Sequence, residues 1–149
     1  MTTARPECVI LVGLPGAGKS TFCRERFPTH DYISKDALPR LLAARARQDA
    51  LLRQALAAGR SVVVDNTHVT PAERAAVIAI AREFQARIVG YYIEAATRDA
   101  VARNERRTVR AKVPKVAIFT AAKRLVPPAA GEGFDELHIV RVTEDGRFA

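Results

Sequence analysis

The sequence predicts an α/β fold in which a parallel five-stranded sheet carries helices on both faces and an arginine-rich helical lid. Three observations lead there. Apolar runs of strand length alternate with longer stretches of helical periodicity. The first run, Cys8 to Val12, is continuously apolar, as a parallel strand buried on both faces requires. It passes directly into a glycine-rich turn, Gly13 to Ser20, and from there into a helical pattern.

Each later element has its own signal. The helix after the turn runs to about Phe27, before Pro28, and Asp31 to Ser34 read as a short second strand. A helix follows with Leu38, Leu41, Leu42, Leu51, Leu52, Ala55 and Leu56 at mostly helical spacing; a break is expected near Gln48, and Gly59 closes it. Ser61 to Val64 form a third strand ending at Asp65. Thr70, Pro71 and Glu73 then supply a capping box with proline at the first helical position, for a helix ending near Gln85. Ile88 to Ile93 read as the fourth strand. Thr97 is expected to cap a helix through the arginine-rich stretch, Pro114 opens another, and Leu137 to Val142 alternate as the last strand.

The 149 residues fit a single domain, 1–149, able to bury roughly two thirds of the surface of its unfolded chain. Met1 to Glu7 contain no apolar targeting core, and no apolar run approaches the roughly 20 residues of a membrane span. No membrane partner and a cytoplasmic location are the expectation. Cys8 and Cys23 lack C-x-x-C spacing and read as plain core thiols, and His30, His68 and His138 stand apart from one another. The formal charge of +8 favours polyanionic partners. The excess is concentrated: Arg98, Arg103, Arg106, Arg107, Arg110, Lys112, Lys115, Lys123 and Arg124 face only Asp99 and Glu105 in that stretch.

The chemistry begins at Gly13, Leu14, Pro15, Gly16, Ala17, Gly18, Lys19 and Ser20, which satisfy the phosphate-binding pattern G-x-x-x-x-G-K-[ST] between a strand and a helix. Glycines let the backbone curl so that successive N–H groups face phosphate oxygens, above the positive end of a helix. In this reading Lys19 neutralises the β- and γ-phosphates of ATP, Ser20 ligates Mg2+, and Thr21 adds a hydroxyl near the nucleotide. No N-K-x-D guanine signature occurs, which argues against a GTPase. For phosphoryl transfer, Asp36 at the carboxyl end of the second strand is a candidate base or a simple helix cap. Asp65, ending the third strand, is a candidate for magnesium, or part of a polar turn with Asn66 and Thr67. Arg103 and Arg107 lie four apart on a predicted helix, hence on one face, as a lid over the phosphate or as solvated surface.

These residues resemble the polynucleotide 5′-kinase family, which repairs nucleic-acid ends. The resemblance runs from Cys8 to about Phe134 through Gly13 to Phe22, Lys35-Asp36, Val64 to Thr67, Arg103-Asn104, Val113-Pro114 and Glu132 to Phe134. It implies that Asp36 is the general base for a 5′-hydroxyl and that Arg103 and Arg107 are lid residues at the transferred phosphate. It also implies nucleic-acid 5′ ends, DNA or RNA, as the acceptor, with Asp36, Arg40, Asp65 and Thr67 as acceptor-binding residues. The pattern departs in three places. Ser34-Lys35-Asp36 replaces Asn-Arg-Asp, His68 replaces the final asparagine of Asp-Asn-Thr-Asn, and Pro39 stands where one branch has an acceptor-clamping arginine, with Arg40 one later. Two other readings are a small-molecule kinase of the same fold and a nucleotide-dependent binding module in which Asp36 is only a cap.

Overall fold

The computed structural model describes residues 5–34, 44–108, 112–142 and 147–148. Its five strands are β1 (Glu7–Val12), β2 (Asp31–Ile33), β3 (Val62–Asp65), β4 (Arg87–Glu94) and β5 (Glu136–Arg141). They form one sheet in the order β2-β3-β1-β4-β5, and every pairing is parallel. The helices are α1 (Lys19–Arg26), α2 (Ala44–Ala57), α3 (Pro71–Glu83), α4 (Thr97–Glu105) and α5 (Lys115–Arg124), with a 3₁₀ turn at Ala130–Glu132. Alternation along β1 explains its unbroken apolar run. Cys8, Ile10 and Val12 face a core shared with Leu52 and Leu56 of α2 and Val77, Ile78 and Ala81 of α3. Val9 and Leu11 face the opposite core, with Phe22 and Cys23 of α1, Ala100 of α4 and Ile118 of α5.

Local chemistry sets the boundaries. Thr70 caps α3 by accepting the Glu73 N–H at 3.3 Å, and Pro71 occupies the first turn. The reciprocal half of the expected box shifts by one residue, because the Glu73 carboxylate takes the Val69 N–H at 3.0 Å. Thr97 does not cap α4; Ala96 stands at that position without a side-chain bond, and Thr97 is already helical. Of the long second helix, only Ala44–Ala57 falls within the described residues, and it runs through Gln48 without interruption. No break occurs there; Gln48 is buried, and its amide oxygen accepts from Asn66 Nδ2 at 2.7 Å. Both cysteines are buried free thiols, as expected, and burial pushes Cys8 up to about 12 and Cys23 up to about 11. Among the described residues, no helix is long and apolar enough to cross a membrane.

Candidate active site

The chain leaves the buried end of β1 at Gly13, whose N–H donates to Thr67 O at 3.0 Å. A Cβ on Gly13 would stand 2.9 Å from Ile93 O, so the close approach of the two backbones needs glycine. Gly16 and Gly18 hold φ of +82° and +100°, the left-handed region that curls the loop. Gly18 caps α1 without any side-chain hydrogen bond. The first turn of α1 is therefore open to an anion at the positive end of the helix dipole. Lys19 is buried, and its Nζ donates to Gly13 O at 3.0 Å and Leu14 O at 2.8 Å. Its charge is held across the loop it serves.

Ser20 and Asp65 meet next to the loop, with Ser20 Oγ donating to Asp65 Oδ2 at 2.8 Å. The same oxygen accepts Tyr32 Oη at 2.6 Å. Burial and the Asp65 hydrogen bond push the Tyr32 phenol up to about 12, so it remains a donor across the neutral range. Among the described residues, no three His, Cys, Asp or Glu side chains cluster as a metal cage. Magnesium bound to phosphates needs no such cage, only one or two hard oxygen donors and its own waters. The Ser20 hydroxyl and the Asp65 carboxylate fit it.

Behind β3 the chain turns through Asn66, Thr67 and His68. His68 is buried at φ +47°, and its Nδ1–H donates to Leu11 O at 2.7 Å. The turn is clamped from below by Arg74, a fully buried residue of α3. Its Nη1 donates to His68 O at 2.7 Å, while Nε and Nη2 make a fork to Glu132 at 2.7 and 3.0 Å. Burial opposes ionisation of Glu132, but the Arg74 hydrogen bonds and the Ala129 N–H outweigh it and hold the carboxyl below its ordinary value. Glu132 belongs to the Glu-Gly-Phe segment that matched by resemblance; nothing in the sequence marked Arg74 as its partner. A cavity of about 280 Å³ opens between α2 and α3, lined by Arg45, Gln48, Asp49, Asn66, Thr67 and His68, among others. Asp36 and Arg40 lie outside the described residues.

The arginine segment reaches the loop through α4. A Cβ on Gly16 would stand 2.5 Å from Ala100 O, and one on Gly18 would stand 2.9 Å from Arg103 Nη1. The glycines thus admit α4, and the Arg103 guanidinium lies over Gly18. Arg98, Arg103 and Arg106 line a second cavity of about 250 Å³. Arg107 lies just past the predicted helix: α4 ends at Glu105, Arg106 is its C-cap, and the Arg107 N–H donates to Asn104 O at 3.1 Å in the following turn. Beside this helix end, the buried side chain of Asn104 bonds Val113. Nδ2 donates to Val113 O at 2.7 Å, and Val113 N–H donates to Oδ1 at 3.0 Å. That clasp fixes both ends of the intervening segment and joins α4 to the start of α5.

Sheet order and phosphate loop define an α/β domain of the P-loop kind. Residues 8–128 match the AAA domain family, and the chain belongs to that family. It is also 30% identical over 139 residues to the bifunctional polynucleotide phosphatase/kinase of Schizosaccharomyces pombe, covering 90% of this chain. The chain spans only 33% of that relative's length. Among solved structures, a gluconokinase from Sinorhizobium meliloti 1021 superposes with a TM-score of 0.64 at 20% identity, over 94% of this chain and 85% of that one. A fungal RNA kinase gives 0.66 at 12% identity, over 95% and 77%. At such identities the two structures share the fold.

Proposed function

We propose that the protein transfers the γ-phosphate of ATP to the 5′-hydroxyl of DNA or RNA, with magnesium. The observation that carries this is the convergence of Lys19, the Ser20–Asp65 pair and Arg103 on one phosphate loop. Bound magnesium supplies charge neutralisation of the phosphates, held at Ser20 with Asp65 behind it. Lys19 and Arg103 stabilise charge on the transferring group, and Arg107 closes over it from the turn after α4. Asp36 accepts the proton of the acceptor hydroxyl as that oxygen attacks phosphorus, and ADP departs. Thr67, in the wall of the cavity beside β3, and Arg40 contact the acceptor. Likeness to a named polynucleotide phosphatase/kinase supports the nucleic-acid acceptor, as does the basic segment from Arg98 to Arg124.

The second reading, a small hydroxylated acceptor such as a sugar or nucleoside, is favoured by the modest cavity of about 280 Å³ with polar walls. One assay separates them: γ-labelled ATP and Mg2+ with 5′-hydroxyl DNA, 5′-hydroxyl RNA, nucleosides and gluconate in parallel. Label on an oligonucleotide is the expected result. Label on a small acceptor alone overturns the nucleic-acid reading. Asp36→Asn is expected to lower kcat by on the order of 10²- to 10⁴-fold with ATP binding retained.

A further inference from the structure

We propose that Tyr32 is a positioning residue of the magnesium site, a role resting on the reading that Ser20 ligates the metal. Two elements deliver side chains to one carboxylate oxygen carried by a third. Tyr32 from β2 and Ser20 from α1 both donate to Asp65 Oδ2, at 2.6 and 2.8 Å, at the end of β3. Register explains the encounter: Tyr32 pairs with Val63, and alternation puts Val63 and Asp65 on the same face of the sheet.

Tyr32 is a poor core residue. It lies on an edge strand and is 48% exposed, whereas Ile33 beside it is buried in the core. Its anchored part is the hydroxyl, so the hydrogen bond is the feature to explain. A Ser20 proton committed to Asp65 leaves the lone pairs of Oγ for a cation. Asp65 can direct that proton only while its carboxylate keeps one rotamer, and the Tyr32 hydroxyl holds the same accepting oxygen at 2.6 Å. With Oδ2 already taking two donors, Asp65 acts by orienting Ser20 rather than by presenting that oxygen to the metal. Outer partners of this kind commonly tune metal affinity by about tenfold or more.

The test uses Mn2+ as the probe, titrated by electron paramagnetic resonance into the protein–ADP complex, so the readout does not depend on any acceptor. Tyr32→Phe keeps the ring and removes only the hydroxyl. It is expected to weaken Mn2+ binding by about tenfold, with ADP affinity in the absence of metal unchanged. Ser20→Ala is the control for the metal reading: if it leaves Mn2+ affinity at the wild-type value, that reading fails and the proposal with it. If Ser20→Ala weakens Mn2+ binding and Tyr32→Phe does not, the Tyr32 assignment alone is overturned. A double-mutant cycle adds a second measurement, since Tyr32→Phe in an Asp65→Asn background is expected to have no further effect. Additive losses would show that the phenol does not work through Asp65.

Discussion

Lys19 and Arg103 bring positive charge to the same loop, yet they are held there by different means. Lys19 bonds carbonyls of its own motif, Gly13 and Leu14, within one short stretch of chain. Arg103 arrives on α4 from far along the chain. Its seat depends on bare glycines at 16 and 18, on Ala100 packed into the core, and on the Asn104–Val113 clasp. A charge held locally is built whenever the motif folds. A charge held at long range is set by tertiary packing, and it can be altered without touching the nucleotide's seat.

The largest effect expected from that contrast is catalytic. Arg103→Ala should lower kcat by on the order of 10³-fold, as for arginines that stabilise a transferring phosphoryl group, while ATP affinity stays near wild type. Steady-state kinetics beside calorimetric ATP binding checks the split; equal losses in both would place Arg103 in ground-state binding instead.

Glu132→Ala tests the long-range support beneath the loop's neighbour, the Thr67–His68 turn. It strands the buried Arg74 charge and should cost about 3–5 kcal/mol, read as a fall in melting temperature on the order of 10 °C. The pair also sets an acid limit. Because the folded Glu132 carboxyl lies below its ordinary value, its contribution is fully present above the unfolded pKa of about 4.3. It is lost as pH falls through the lowered folded value. The difference in stability between wild type and Glu132→Gln should therefore shrink on acidification, measured by urea unfolding from pH 7 to pH 3.

Asn104→Ala should have the smallest effect. Two hydrogen bonds are lost, roughly 1–3 kcal/mol in all, and hydrogen exchange should rise at Val113 and in the last turn of α4 but not in α1. A moderate drop in kcat with unchanged ATP binding would accompany it. Faster exchange in α1 would show that lid and loop unfold as one unit.

The sheet and the phosphate loop were legible because their signals are local. A continuous apolar run, an eight-residue glycine pattern and a Thr70–Pro71 helix start each act within a few residues. The meeting of Ser20 and Asp65 was within reach too, since one lies in the motif and the other ends a recognisable strand. Less legible was whatever joins distant segments. Helical periodicity carried Arg103 and Arg107 onto one face, but the helix ends at Glu105, between them. Spacing can hardly reveal that Arg74 meets Glu132 or that Tyr32 meets Asp65, because each pair is assembled by packing alone.

The Asn104–Val113 clasp has a consequence for how such a chain diversifies. One side chain ties both ends of the segment that carries Arg106 and Arg107, and Glu105 pairs with Lys112 at 3.1 Å across the same base. A junction fastened by side chains on both sides tolerates exchange elsewhere in α5 while α4 keeps its place. Sequence change in α5 that spares Asn104, Glu105, Lys112 and Val113 is therefore expected to leave the approach of Arg103 to the phosphate loop unchanged.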